Sequence, residues 1–278
     1  MKIYNLIENE EGSCGCTPKH GLSFYIETVR HRLLCDLGPD EETLRNAEKL
    51  GVNLTDVDTV ILSHGHYDHT GGVMPFVKHN PHACIYIRRT ADRPYYSYDG
   101  REKGYRYIGI DPEIAGLKQV RWIDGDYRID RELSLFGDLT ACENHPVPAT
   151  NRYLMVKEGE EYIRDTFGHE QCLVIEEEGK RVLLSGCAHS GILNILDRFR
   201  QIYHTDPDVV ISGFHLMKKK DYTAAEKKEI CEIAAQLTEC RSTTFYTCHC
   251  TGLTAFAWMK EIMGEQLNYC HCGDVLEV

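Results

Sequence analysis

The chain has no apolar run approaching the length of a membrane span, so it offers no transmembrane helix. Its start, Met1-Lys2-Ile3-Tyr4-Asn5-Leu6-Ile7-Glu8, lacks the basic stretch and long apolar segment of an export signal. A surplus of positive charge is missing as well, the formal net charge being -12. Affinity for nucleic acid is dominated by neutralising phosphates, so this balance argues against a nucleic-acid surface and leaves room only for a local basic pocket. Short-period repeats and low-complexity linkers are also absent. Nothing divides the chain, and one domain over 1–278 is expected.

What is present is ordinary in bulk and unusual in detail. The 278 residues, 42% hydrophobic and 27% charged, suffice to bury a large core. Cysteine is abundant and odd in number, at 13. Without an export signal these read as reduced thiols rather than a disulfide framework, which implies a reducing cytoplasm.

Strands are expected at Lys2–Leu6, Leu22–Thr28, Arg32–Asp36 and Ala83–Ile87, with helices at Pro39–Leu50 and Gly72–His79. Glu41 and Glu42 lie near the positive end of the first helix, and Gly51 lies just past its last turn. Residues 88–118 interrupt this rhythm with Tyr95, Tyr96, Tyr98, Tyr105 and Tyr107 among arginines and glycines. Such a stretch suits a lid or substrate-contacting insertion, and equally a long loop pinned by its rings. Further on, Gln171–Glu176 and Arg181–Ser185 form a hairpin around Glu178-Gly179-Lys180. Ile192, Ile195, Leu196, Phe199 and Ile202 make one helical stripe. Asp208–Ser212 and Thr243–Thr247 are strands, and Thr223 with Glu226 has the spacing of a capping box opening a helix to about Thr238.

The densest chemistry is His64-Gly65-His66-Tyr67-Asp68-His69, followed by Thr70-Gly71-Gly72. Four ligand-type side chains in six positions can split between two neighbouring ions, His64 and His66 facing one way, Asp68 and His69 the other. Thr59-Val60-Ile61-Leu62 before them is a short buried strand that delivers the cluster at its end. Imidazole with carboxylate suits zinc, iron or manganese.

His-x-His-x-Asp-His after a strand, with Thr-Gly-Gly behind it, resembles the first metal motif of the metallo-β-lactamase-fold superfamily. His20-Gly21-Leu22-Ser23-Phe24, Asp36-Leu37-Gly38, Ser185-Gly186-Cys187-Ala188-His189, Gly213-Phe214-His215-Leu216 and His249-Cys250-Thr251-Gly252 follow the pattern of a metal-dependent hydrolase subfamily. That subfamily is related to the dihydropterin ribofuranosyl-aminobenzene phosphate synthase of methanopterin synthesis. The pattern of strands and helices gives an α/β fold; the resemblance, which extends over nearly the whole chain, implies a four-layer αββα sandwich with the site along one edge. It also implies two divalent ions, zinc first, with iron or manganese as alternatives.

The resemblance carries further ligands to this chain. His169, in Phe167-Gly168-His169-Glu170-Gln171 before a strand, matches the third motif, with His145 of Glu143-Asn144-His145-Pro146 as its rival. Cys187 stands where the superfamily has a bridging aspartate. Either it binds as thiolate, or His189 two residues on reaches the metals or the substrate. His249 matches the last ligand, and its neighbours Cys248 and Cys250 are expected to alternate away into packing. His215, at another strand end, is read as contacting substrate phosphate or donating a proton, or else as a satisfied buried histidine. Cys14-Gly15-Cys16 and Cys270-His271-Cys272 are read as structural or incidental.

The expected metal ligands are therefore His64, His66, Asp68, His69, His169, Cys187 and His249, and the expected catalytic residues Asp68, His189 and His215. The leading reading is hydrolysis of a small ester or phosphorylated metabolite by a metal-activated hydroxide that Asp68 orients. A second is a transferase joining a dihydropterin methyl group to a ribofuranosyl-aminobenzene phosphate with release of diphosphate. A third is a metal-dependent ligand binder without turnover. The partner in each case is a small molecule, phosphorylated or pterin-like, with no nucleic acid and no membrane.

Overall fold

Alternation along short apolar strands decides the architecture. In Ser23–Glu27, Phe24 and Ile26 face one core while Tyr25 faces another; in Arg32–Cys35, Leu33 and Cys35 oppose Leu34 in the same way. A sheet with both faces apolar must be covered on both sides. The computed structural model, which describes residues 1–139, 145 and 147–278, satisfies this with two sheets face to face and helices outside each.

The first seven-stranded sheet runs, in spatial order, Val275–Glu277, Lys2–Ile7, Ser23–Glu27, Arg32–Cys35, Thr59–Ile61, Cys84–Arg88, Val120–Ile123. The second runs Leu267–Tyr269, Thr244–Thr247, Val209–Ser212, Lys180–Ser185, Cys172–Glu177, Leu133–Phe136, Tyr127–Arg128. Between them lies one core, to which Phe24, Ile26, Leu33 and Ile61 contribute from the first sheet and Leu173, Ile175, Leu184 and Ile211 from the second. Ala47 of the Glu42–Lys49 helix and Phe76 of the Val73–His79 helix cover the outer face of the first sheet. Helices Ile192–Tyr203, Ala224–Leu237 and Leu253–Met263 cover the second through Phe199, Ile233 and Met259. The four layers are those of an αββα sandwich.

Local signals acted as their chemistry requires. The capping box closes, with Glu226 N–H donating to Thr223 Oγ1 at 3.2 Å and Thr223 N–H to Glu226 Oε2 at 2.8 Å. Glu178 and Gly179, with φ of 51° and 81°, make the tight hairpin turn between Cys172–Glu177 and Lys180–Ser185. The first helix begins at Glu42 rather than Pro39, because Asp40 Oδ1 takes the Glu42 N–H at 2.9 Å and ends the preceding turn there.

Residues 88–118, expected as an irregular insertion, contain two strands. Tyr95–Tyr98 and Tyr105–Tyr107 join Leu154–Glu158 and Glu161–Arg164 in a four-stranded antiparallel sheet. Its alternation places Tyr96, Tyr98, Tyr105, Tyr107 and Tyr162 together on one face, where Tyr105 and Tyr162 stack at 3.7 Å. Tyr95 lies on the other face with its ring 4.0 Å from that of His169. Most of the tyrosines thus pin the small sheet together, and one looks toward the histidines. None of the described helices is long and apolar enough to cross a membrane.

In both large sheets the central strands run parallel, and ligands collect at the carboxyl ends of such strands. Asp36, Ser63-His64, Cys187, His215 and His249 all lie just past such ends. Among the described residues, five of the eight non-glycine positions with left-handed backbone are here: Asp36, Phe167, Ala188, His215 and His249. Strain of this kind persists only where the surroundings enforce it, and it gathers at functional sites.

Candidate metal centre

The centre begins with the fully buried Asp36. Its Oδ1 accepts the Ser63 N–H at 2.7 Å, and its Oδ2 accepts from Ser63 Oγ at 2.7 Å and His69 Nδ1 at 2.6 Å. Asp36 Oδ2 accepts from His69 Nδ1, which turns Nε2 inward. Burial opposes charge on His69, but Asp36 outweighs it and raises the pKa to about 9, so a cation binding at Nε2 must displace a proton there. Ser63 Oγ, having donated to Asp36, accepts from His64 Nδ1 at 2.9 Å, which leaves the lone pair of His64 on Nε2.

Two asparagines set two further tautomers in the same manner. Asn151 Nδ2 donates to the carbonyl of His189 at 2.6 Å, so its Oδ1, 3.0 Å away, accepts from His189 Nδ1. Asn9 Nδ2 donates to the carbonyl of His249 at 3.1 Å, and its Oδ1 accepts from His249 Nδ1 at 3.0 Å. Buried carboxylates hold the backbones: Glu170 takes the N–H groups of His189 and Ser190, and Glu8 takes that of His249. The His189 ring lies parallel to Phe167 at 4.7 Å.

The consequence is a set of inward-facing ring nitrogens and one carboxylate gathered at close range. His64 Nε2 and His189 Nε2 stand 3.3 Å apart, each a lone pair, and buried His66 Nε2 beside them has no hydrogen-bond partner. Asp68 Oδ2 and His249 Nε2 stand 3.5 Å apart, with His69 completing that group. Converging acceptors are costly when buried unless a cation lies among them. The side chains present therefore fit two metal positions, His64/His66/His189 and Asp68/His69/His249. Cys187, whose Sγ is 3.1 Å from His69 Nε2, forms a group with His64 and His69, between the two.

The charge states of His64, His66, His189 and Asp68 agree with a ligand role, while His69 must give up a proton to bind. Burial, then neighbouring imidazoles, holds His64 and His189 well below the usual histidine pKa and takes His66 to about 3. Neutral imidazole is the form that binds metal. Burial opposes ionisation of Asp68, but His249 and His69 outweigh it and keep the carboxylate charged. The half-exposed His20 approaches Asp68 Oδ2 to 3.5 Å from the solvent side.

His169 is buried in the same cluster, yet both its ring nitrogens are engaged. Nδ1 accepts the Gly65 N–H at 2.9 Å, and Nε2 lies 2.9 Å from buried Asp165. With His66 it makes a further metal-compatible group that includes Asp165. Its rival His145 lies away from the centre, 3.3 Å from Asp197, while Glu143, Asn144 and Pro146 fall outside the described residues.

One expectation is overturned. Cys250 does not alternate away into packing; its sulfur joins Cys187 and His215. The Thr244–Thr247 strand ends before it, and His249 at φ 48° begins a turn of 3-10 helix, so strand alternation no longer applies. Cys248 does pack, in the core between the sheets, as does Cys270. Cys272 Sγ donates to the Leu6 carbonyl at 3.4 Å, beside Cys16, in the structural setting expected of these motifs.

A family model of the metallo-β-lactamase superfamily matches residues 16–225. The chain belongs to that superfamily. Among solved structures it resembles Tm1679, a metal-dependent hydrolase of the β-lactamase superfamily. That match is 30% identical with a TM-score of 0.82, covering 100% of this chain and 99% of the other. The metallo-β-lactamase fold protein YhfI of Bacillus subtilis, 15% identical with a TM-score of 0.56, shares the fold over 99% of each chain. A 7,8-dihydropterin-6-methyl-4-(β-D-ribofuranosyl)-aminobenzene-5'-phosphate synthase of Methanocaldococcus jannaschii is 27% identical over 304 residues, 100% of this chain and 96% of the relative.

In this metallo-β-lactamase-fold chain, the side chains that orient the ligands were the ones sequence reasoning passed over. Asp36 and His20 sat inside quoted motifs without a role, and Asn9, Asn151, Glu8, Asp165 and Glu170 had none. Asp36 alone left a usable signal, an acidic residue immediately after an apolar strand. The asparagines reach their histidines from 240 and 38 residues away along the chain, which no spacing rule reveals.

Proposed function

We propose that this protein is a metal-dependent hydrolase of a small phosphorylated ester. The observation that carries the proposal is the convergence of inward-facing histidine nitrogens and the Asp68 carboxylate in two adjacent groups. His64, His66 and His189 would hold one ion and Asp68, His69 and His249 the other, with Cys187 between them. Zinc suits this mixture of imidazole, carboxylate and thiol; iron and manganese are the alternatives. When bound, such ions lower the pKa of water to about 7 and polarise a phosphoryl or carbonyl oxygen.

The chain's own residues supply orientation. Asp68, kept ionised, accepts a hydrogen bond from the attacking water and aims its lone pair at the substrate. Asp36, Asn9 and Asn151 turn Nε2 of His69, His64, His249 and His189 toward the centre. Arg106 shares a face of the small sheet with Tyr95, by its pairing with Ser97, and its guanidinium lies 5.9 Å from the ring of Tyr67 in the metal loop. Asp99 holds it there at 2.8 Å, leaving other N–H donors for a phosphate.

A second reading, transfer of a dihydropterin methyl group to a ribofuranosyl-aminobenzene phosphate, is favoured by the whole-chain alignment to the synthase. Metal-loaded protein should be offered phosphomonoesters, phosphodiesters and carboxylate esters, and separately a pterin methyl diphosphate with the aminobenzene riboside phosphate. Chelator-sensitive release of alcohol and phosphate supports hydrolysis. Product formation only in the second mixture would replace it with transfer, and ligand-induced stabilisation without product in either would leave a binder.

A further inference from the structure

We propose that Cys187, Cys250 and His215 form a third, thiolate-rich metal position that shares Cys187 with the histidine centre and takes a thiophilic divalent ion such as zinc. It goes beyond the hydrolase reading, whose two groups are complete without Cys250 or His215. The ligand atoms of the three residues lie within 4.8 Å of one another, in a part of the site where Cys187 and Cys250 are both buried. His215 Nδ1 is buried without a hydrogen-bond partner, which in this setting marks a free ligand atom.

The surroundings are built around the Cys250 sulfur. The His215 N–H donates to it at 3.3 Å, and the Cys187 carbonyl lies 3.7 Å away. A Cβ on Gly213 would come within 2.5 Å of it, so the strand end must be glycine for the sulfur to sit there. Left-handed backbone at Ala188, His215 and His249 brings three strand ends toward one point. Two sulfurs and an imidazole form a set that prefers zinc to magnesium or calcium, and a fourth position remains for water or a substrate sulfur or oxygen. His215 then serves as a ligand in place of the proton donor expected from the sequence.

The test uses the full chain, kept reduced, saturated with zinc or cobalt(II) and freed of loose metal. Metal per chain is counted by elemental analysis, and thiolate-to-cobalt charge-transfer absorption is recorded. Cys250→Ser should lose about one equivalent per chain and roughly half of the thiolate band, while the remaining ions stay on the histidine groups. His215→Gln, a gentler change at a half-buried position, should lose the same equivalent and keep most of the thiolate chromophore in apo-protein titrations with excess cobalt. Unchanged count and band in both variants would overturn the proposal, as would loss of all metal from Cys250→Ser in a protein that still unfolds cooperatively. A His69→Ala variant separates the two readings. It should empty its own group and leave the thiolate band, whereas loss of that band would assign the sulfur signal to the histidine centre and refute a separate position.

Discussion

Asp36→Asn replaces one oxygen by an NH2 group and should disable the centre without touching a ligand. Asn Oδ1 can keep the Ser63 N–H bond, but the NH2 now points at Ser63 Oγ and His69 Nδ1, where Oδ2 accepted both. His69 must release its Nδ1 proton to accept, and the proton moves to Nε2, toward the metal position. Ser63 Oγ must turn to accept from the amide, so its own proton goes to His64 Nδ1, and His64 too becomes protonated at Nε2. Each of the two groups therefore loses one lone pair. Outer ligand-orienting groups are worth about 10–100-fold in metal affinity, which is about 1.4–2.7 kcal/mol per ion. Competition against a chromogenic chelator measures both affinities, with circular dichroism to show that the variant is folded. A folded Asp36→Asn protein binding both ions within about twofold of the parent would refute the tautomer argument.

Gly186→Ala should destabilise by about 1–3 kcal/mol or more, read as a lowered Tm, because the added Cβ would meet Ser63 Oγ at 2.1 Å. Arg106→Ala should raise KM for a phosphorylated substrate by about tenfold or more with little change in kcat, since a charged hydrogen bond is lost; Tyr105→Ala, on the opposite face, should leave KM unchanged. Far from the centre, burial opposes ionisation of Asp130, but the N–H groups of Leu133 and Glu132 and the ring of His31 outweigh it, taking the pKa to about 2. A depressed carboxylate stabilises above its unfolded pKa and ceases to do so as pH falls toward its folded one. The Tm gap between parent and Asp130→Asn should therefore be widest at about pH 5–6, narrow above that as His31, where burial opposes charge but Asp58 and Asp130 outweigh it and raise the pKa, loses its proton, and close between about pH 4 and 2; a gap that widens from pH 4 to 2 would contradict the assignment.

Much of the frame was legible because it rests on local patterns. Alternating or continuous apolar strands, the stripe from Ile192 to Ile202, the capping box at Thr223 and the turn at Glu178-Gly179 each encode their structure within a few residues. The packed ligand run from His64 to His69 was legible for the same reason, and the family resemblance carried the four-layer arrangement. The tyrosine segment misled because it reads as weakly periodic alone; its two strands pair with each other, and the sheet they join is completed by residues 154–164. Cys250 was misplaced because strand alternation was extended past the point where His249 turns the backbone. The clamps of Asn9 and Asn151 depend on tertiary approach alone, and tautomers chosen by such partners leave no trace in residue spacing.

Anomalous diffraction from zinc-loaded crystals tests the central claim most directly, since it locates each ion against its ligands. The account predicts one peak bounded by His64, His66 and His189 and another bounded by Asp68, His69 and His249, each on Nε2 of its histidines. A first ion bound instead through His169, with His189 still hydrogen-bonded away from it, or no peak at either group, would contradict it.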